Sequence, residues 1–326
     1  MNNETIWSTD LNDFISFSKE YNSVPNWISF NIQNSCVLSV KNEKDFFYNK
    51  NQIKIFNSST FNAYKKIDEN QAFDYCKRCE KINPNDAKLV YCLGNCFLVG
   101  IGIKKDEAKA FKCYKKSAEI DPTDSNVWNK LGYCYFHGKG TRMNETEAFN
   151  CFKKSLGLNP KNSDALNNLG YCFFTGKGTS ENESEAFKYF KKAVESDPNN
   201  SVVLNNLGHC YLNGIGIKKN ETESFKCFKK SVELYPNNSY AWNNLGDCYL
   251  NEKGTEMDET EAFNCYKKAV ELNSNNSTIL SDIGCCYLRG IGTKVDRLKA
   301  KEFISKALEI DPDNEEIKTL LTECDE

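Results

Sequence analysis

The stretch from Thr123 to Pro160, TDSNVWNKLGYCYFHGKGTRMNETEAFNCFKKSLGLNP, decides how the chain reads. Trp128, Leu131, Gly132 and Tyr135 fall at i, i+3, i+4 and i+7, one stripe of a helix. His137-Gly138-Lys139-Gly140 then breaks that helix with two glycines. Ala148, Cys151, Phe152 and Ser155 make a second stripe. Asn159-Pro160 ends it, because proline cannot continue a helix and restrains the residue before it. The stretch therefore predicts two helices joined by a glycine-rich turn.

The unit recurs on both sides. Gly94, Gly132, Gly170, Gly208, Gly246 and Gly284 stand 38 residues apart. Pro84, Pro122, Pro160, Pro198, Pro236 and Pro312 keep the same step, with Ser274 where a proline is missing. Residues 85–312 are thus six gapless repeats. Small residues recur at Ala110, Ala148, Ala186, Ser224, Ala262 and Ala300. They are expected to let two helix backbones approach to the short end of the roughly 8–10 Å interaxial range. Phe97, Tyr135, Phe173, Tyr211, Tyr249 and Tyr287 are expected to fill the space beside them. One helix pair cannot bury its apolar stripes alone, whereas stacked pairs can. The predicted fold is an all-α solenoid of antiparallel helix pairs.

Gln71-Ala72-Phe73 to Asn83-Pro84 aligns with a second helix and predicts a partial repeat over 57–84. Ile317, Leu320, Leu321 and Cys324 predict a short capping helix within 313–326. Residues 1–56 lie outside the repeat and are read as a small cap. Leu11 to Tyr21 suggests a helix there. Ile28, Phe30 and Ile32, then Cys36, Leu38 and Val40, alternate about the turn-like Gln33-Asn34-Ser35, and Ile53 and Ile55 add a third strand. Phe56 to Lys66 alternatively reads as a degraded first helix of the partial repeat.

Composition excludes several classes. The 326 residues carry a net charge of -3, with 40% hydrophobic and 27% charged residues. That balance argues against bulk nucleic acid or an anionic membrane as partner. No apolar run approaches the roughly 20 residues of a membrane span. Met1 to Phe17 lacks the basic-then-apolar layout of a signal peptide, so a cytoplasmic location is expected.

The pattern Trp128, Leu131-Gly132, Tyr135, Ala148, Phe152, Pro160 resembles a tetratricopeptide repeat. The Gly-x-Gly turns at 100/102, 138/140, 176/178, 214/216 and 290/292 resemble its Sel-one-like relative. Glu252 departs from that pattern in the fifth repeat. The resemblance implies a right-handed superhelix whose concave groove holds peptides or partner proteins. It also implies an adaptor or assembly scaffold, in some members serving ubiquitin-dependent degradation and in some found in bacteria.

Sixteen cysteines are the conspicuous excess. Cys96, Cys134, Cys172, Cys210, Cys248 and Cys286 repeat on the first helix, and Cys113, Cys151, Cys227 and Cys265 on the second. Secreted relatives of the Sel-one-like family would suggest one disulfide per repeat. Tyr189 and Phe303 at the second position speak for apolar packing instead. Cys76-Lys77-Arg78-Cys79 and Cys92/Cys96 lack a matched second pair for zinc, and vicinal Cys285-Cys286 reads as one core and one open-face cysteine. No metal or other cofactor is expected. The Gly-x-Gly turns lack a preceding strand and a full phosphate-loop motif. Lys115-Lys116, Lys153-Lys154, Lys191-Lys192, Lys229-Lys230 and Lys267-Lys268 are offset by Glu119, Glu195, Glu233 and Glu271 at i+4.

An asparagine ladder is the best site signal. Asn168, Asn206 and Asn244 precede Leu-Gly in the central repeats, and Asn129, Asn167, Asn205 and Asn243 stand one residue earlier. On a helix wheel both sets point away from the core stripe. Asparagine is a poor residue for a helix interior. An extended peptide rises about 3.3 Å per residue, so three residues span one rung of about 10 Å. The run Asn-Leu-Gly resembles the ladder by which tetratricopeptide domains hold extended peptides. Tyr133, Phe136, Tyr171, Phe174, His209, Tyr240 and Asp247 would line side-chain pockets, and Lys130 and Asp282 interrupt the ladder.

The chain thus reads as a non-enzymatic adaptor for protein or peptide partners. Two other readings stay open: a recruitment subunit of a ubiquitin-ligase or kinase complex docking through its N-terminal element, and a secreted cysteine-rich enzyme acting on peptidoglycan-type substrates.

Overall fold

The structure, a computed structural model, describes residues 83–325, Phe73 and Lys77, and the backbone of three short strands. The chain divides into two compact units, Met1–Ser196 and Asp197–Glu326. In the first, strands β1 (Leu38–Val40), β2 (Lys44–Asn49) and β3 (Gln52–Phe56) pair antiparallel in that order. Leu38 stands opposite Phe46, and Tyr48 opposite Ile53. The strand through Lys44-Asp45-Phe46-Phe47-Tyr48 was not anticipated, because its three adjacent aromatics hide the alternation of a strand. The expectations for Leu11–Tyr21, Ile28–Ile32 and the turn at Gln33–Ser35 lie outside the described residues. So does most of Phe56–Lys66, whose first residue ends β3.

Three helix pairs complete the first unit: α1 (Ala87–Val99) with α2 (Glu107–Ile120), α3 (Ser125–His137) with α4 (Glu145–Leu158), and α5 (Ser163–Thr175) with α6 (Glu183–Ser196). The second unit holds α7 (Ser201–Asn213) with α8 (Glu221–Leu234), α9 (Ser239–Leu250) with α10 (Glu259–Leu272), and α11 (Ser277–Arg289) with α12 (Arg297–Ile310). The capping helix α13 (Glu315–Asp325) follows, burying Ile317, Leu320 and Cys324. The predicted pairing and period are the observed ones.

Much of the asparagine content belongs to helix starts. Asn144, Asn182 and Asn220 open Asn-Glu-Thr/Ser triplets, and their side chains accept from the amides of Glu147, Glu185 and Glu223 at 3.0–3.1 Å. Such a cap satisfies an orphan amide, and the glutamates of the first turn suit the helix dipole. Buried Asn162 caps α5 and also donates to Ser125 and Ser155 Oγ at 3.4 and 3.3 Å, fastening one repeat to the previous one.

The two turn glycines do different work. The first ends its helix in the left-handed region: Gly138 has φ 66° and donates to the Cys134 carbonyl. In the fifth repeat Glu252 takes that place with φ 54°, among the described residues the one non-glycine at positive φ. The turn survives the substitution, since Lys253 still donates to Cys248 O at 3.0 Å. A side chain there costs about 1–2 kcal/mol, so Glu252→Gly should stabilise the chain by about 1 kcal/mol in urea denaturation. An unchanged midpoint would contradict the strain. The second glycine is a contact point between repeats. A Cβ on Gly140 would lie 2.0 Å from the carbonyl oxygen of Glu107, the first residue of α2, and one on Gly178 2.2 Å from that of Glu145, the first residue of α4.

In the first five pairs the helix glycine receives a ring from the partner helix, and in the sixth Gly284 receives Ile304. A Cβ on Gly132 would meet Phe152 at 2.5 Å, and one on Gly246 would meet Tyr266 at 2.8 Å. The aromatics at Tyr135 and its equivalents were expected in that space; Tyr135 does pack against the cluster of Ala148 and Phe152, and Tyr249 against that of Ala262 and Tyr266, and the row also bridges to the preceding repeat. Phe111–Tyr135, Phe149–Phe173, Phe225–Tyr249 and Phe263–Tyr287 meet edge to face with centroids 5.3–5.5 Å apart. Each such pair contributes about 0.5–1.5 kcal/mol beyond area burial. Phe73, itself helical, makes the same contact with Phe97 one period earlier.

The register cysteines belong to this packing. Cys134 and Cys151 share one apolar cluster, and Cys248 and Cys265 another, yet all four are thiols, not disulfides. Burial pushes each of them up to about 12, so they stay protonated and unreactive at neutral pH. Cys286 is buried and Cys285 half-buried. Cys92 stands apart as disulfide-bonded. The lysine stripe departs from the expected i,i+4 pairing. Lys154 stacks over the Trp128 ring at 3.4 Å and Lys153 and Lys229 lie over Phe149 and Phe225, while Lys268 reaches Glu271 at i+3.

Candidate peptide-binding face

The ladder asparagines are positioned by the first helices, and each unit is best taken alone. In the first unit Asn168 Nδ2 donates to Asn129 Oδ1 at 2.9 Å, from α5 to α3. In the second, Asn244 Nδ2 donates to Asn205 Oδ1 at 3.0 Å, from α9 to α7. The two rows of the ladder are therefore cross-linked to each other between neighbouring repeats. The expectation that both rows face away from packing needs correction. Asn129, Asn167 and Asn243 are buried, while Asn168, Asn206 and Asn244 are half-buried and Asn205 is likewise intermediate. In a stack, the side of a helix turned from its own core meets the next repeat. The row one residue later stays partly open, and of the earlier row so does Asn205.

Lys130, where the ladder breaks, is buried between α3 and its neighbours. Burial holds its ammonium below the ordinary lysine range, with Asp164 opposing.

The predicted aromatic lining is gathered in part. Tyr133, Phe136 and Tyr171 cluster around His137, with Tyr133–His137 centroids 4.4 Å apart and Phe136–Tyr171 5.7 Å apart. Lys177 Nζ sits 5.2 Å above Phe136. Tyr133 and Phe136 are themselves buried, so Tyr171 is the ring left open to solvent. The sequence reading missed His137 and Lys177. The i,i+4 spacing of Tyr133 and His137 on one helix face was the available signal. Burial, then Lys139 and Lys177, push His137 down to about 4, so it is neutral at physiological pH. His209 and Tyr240 stand exposed in the second unit, and Phe174 is half-buried in the first.

Asp247 departs most from its expected role. Tyr266 Oη donates to Asp247 Oδ1 at 2.6 Å, and at the same place in the first repeat Tyr114 Oη donates to Asn95 Oδ1 at 2.8 Å. The other repeats carry Tyr133, Tyr171, His209 and Cys285 at the first position and Phe152, Phe190, Phe228 and Ile304 at the second. A hydroxyl occurs only where an amide or carboxylate waits to accept it, as a buried polar group requires. One rung further, Asn243 Nδ2 donates to Asp282 Oδ2 at 2.9 Å. Burial and the Asp247 charge push Asp282 up to about 7. Among the described residues no helix is long and apolar enough to cross a membrane, and no group of three His, Cys, Asp or Glu is arranged for a metal ion.

The Sel1 repeat family matches residues 91–121, 163–198, 201–235 and 280–311, and the tetratricopeptide repeat matches 113–147 and 227–260. The chain carries Sel1 and tetratricopeptide repeats. Modules of this kind are generally non-enzymatic protein–protein interaction scaffolds. No curated protein matches the chain by sequence. Solved structures share the fold. A Sel1 repeat protein from Oxalobacter formigenes is 22% identical over 74% of this chain and 97% of its own, with TM-score 0.59. The protective antigen c5321 of uropathogenic Escherichia coli is 22% identical over 81% of this chain, with TM-score 0.54. The APC/C hetero-tetramer Cut9-Hcn1 is 17% identical over 79% of this chain, with TM-score 0.61. The chain spans 58% of the second of these and 46% of the third.

Proposed function

We propose that the chain is a scaffold that holds extended peptide segments of partner proteins along its first-helix face through the asparagine ladder. The supporting observation is the amide cross-link between repeats, Asn168 to Asn129 and Asn244 to Asn205. An amide side chain offers two donors and two acceptor lone pairs. The cross-link uses one N–H of Asn168 or Asn244, leaving Oδ1 and a second N–H to meet a peptide C=O and N–H pair. It also holds each amide in one orientation, which lowers the ordering cost of binding. Exposed Tyr171, His209 and Tyr240 flank the rungs and would meet the peptide's side chains.

The test is replacement of Asn168, Asn206 and Asn244 with Ala in the full chain. Peptides selected by display against the unaltered chain should bind the triple variant at least tenfold more weakly, a loss of about 1.4 kcal/mol or more. The far-ultraviolet helical signal should stay intact. Unchanged affinity would retire the ladder.

A further inference from the structure

The last rung of the ladder differs from the others in charge. The central rungs pair amide with amide, but the rung from α9 to α11 pairs Asn243 with a carboxylate, Asp282. One turn along α9 from Asn243 stands Asp247, where the three preceding repeats carry Tyr133, Tyr171 and His209. Two departures from the repeat thus make two carboxylates neighbours: Asp282 bonds Asn243, and Asp247 stands four residues on from Asn243 on the same helix face.

A second observation points to a ligand. Asn243 is 7% exposed, and its Oδ1 is, among the described residues, the one buried side-chain polar atom without a hydrogen-bond partner. Its orientation is dictated by chemistry: the Nδ2 donor must face the Asp282 carboxylate, so the carbonyl oxygen is turned away from that bond. A buried acceptor in native protein nearly always has a donor. Asp247 commits Oδ1 to Tyr266, and Asp282 commits Oδ2 to Asn243. Three oxygens therefore remain to accept: Asn243 Oδ1, Asp247 Oδ2 and Asp282 Oδ1. Both aspartates are only partly buried, so a cation can reach them from solvent, whereas Asn243 Oδ1 is itself closed to solvent and would be met only by a donor that enters past them. Glu316 on α13 adds to the negative field at Asp282, and Lys253 opposes it at Asp247.

We propose that Asn243, Asp247 and Asp282 form a pocket for an organic cation, the ammonium or guanidinium of a lysine or arginine side chain on the bound segment. An ammonium brings three donors to three acceptors. A calcium ion would ask for six to eight oxygens and a magnesium ion for an octahedron, which this set does not supply. The pocket deepens the reading of this face as a peptide-binding surface and rests on it. It would set register, because a basic residue anchored at the last rung fixes which residues meet Asn244 and the rungs before it.

The probe is a single residue, so that its failure is separate from failure of the ladder. Nα-acetyl-lysine N-methylamide is titrated into the full chain carrying 13C-labelled aspartate, with the arginine analogue in parallel and the norleucine analogue as neutral control. The expected result is a saturable shift of the Asp247 and Asp282 carboxyl signals with the lysine or arginine probe, and none with norleucine. Asp247→Asn, which reproduces the Asn95–Tyr114 pair of the first repeat and so keeps its fold, should raise the half-saturation point at least tenfold, as should Asp282→Asn. Gly157→Ala, on α4 in the other unit with nothing within 4 Å of the added methyl, should leave it unchanged. Equal response to norleucine, absence of saturation, or saturation by calcium chloride at lower concentration than by the lysine probe would overturn the proposal.

Discussion

Gly140→Ala should cost the chain about 2–5 kcal/mol of stability, summing overpacking of about 1–3 and a left-handed side chain of about 1–2. Gly140 holds φ 69°, and its added methyl would sit 2.0 Å from Glu107 O, 2.4 Å from the carbon of that carbonyl and 2.8 Å from Ala108 Cα. All three are backbone atoms at the start of α2, so no side chain can swing aside. Relief requires the turn and α2 to separate, and that contact is part of what holds neighbouring repeats together. In a repeat array, stability is a sum of repeat and neighbour-interface contributions. Urea unfolding followed by circular dichroism should therefore show a lower midpoint and a broader or split transition. Gly157→Ala is the control. Gly157 lies within α4 with nothing within 4 Å of an added Cβ, so alanine there should stabilise by about 0.5–1 kcal/mol. Equal behaviour of the two variants would show that the second glycine is kept for flexibility and not for contact.

Asp282→Asn should flatten the dependence of stability on pH. The folded carboxyl is pushed up from 3.8 to about 7 by burial and by Asp247, with Asn243 opposing and Glu316 adding. A raised carboxylate pKa means the native chain binds this proton more tightly than the unfolded chain. Its contribution is whole below about pH 4 and is lost as pH rises through about 7. At about 1.4 kcal/mol per pKa unit, the parent should lose about 2–4 kcal/mol across that window from this group. The Asn variant should lack that decline. Asp247 is shifted in the same direction, chiefly by burial, so Asp247→Asn should flatten the profile in part. Denaturation midpoints at pH 4, 5.5 and 7 decide it. Parallel slopes for parent and Asp282→Asn would place the carboxylate in a better-solvated setting than its burial implies.

The repeat was legible because the chemistry of a helix pair is local. The 38-residue step of glycine and proline, the stripe through Trp128 and Tyr135, and the break at Gly138 each follow from backbone geometry over a few residues. The site was legible as a row of residues and not as a set of contacts. Asn129 and Asn168 are 39 residues apart and meet only because α3 and α5 stack. A helix wheel of one helix places Asn129 on an open face, and the next repeat then covers it. The same holds for Tyr135, read as filler beside Gly132, which also packs on Phe111 of the preceding repeat. The Asn-Glu-Thr/Ser triplets at Asn144, Asn182 and Asn220 show the opposite case. Their capping role is local and could have been read from an asparagine placed before an acidic first turn.

By itself the sequence determined the unit, its two helices, their ends and the number of repeats, since these depend on interactions spanning a few residues. The tertiary structure decided what the unit's faces do. It turned the second turn glycine into a contact with Glu107 or Glu145, paired cysteines into packing without bonds, and one row of asparagines into partners for the other. The glycine and asparagine contacts join residues about one period apart, and the cysteines meet across the two helices of one repeat. A one-dimensional pattern records that such residues recur, but only stacking at a particular distance and angle makes them touch.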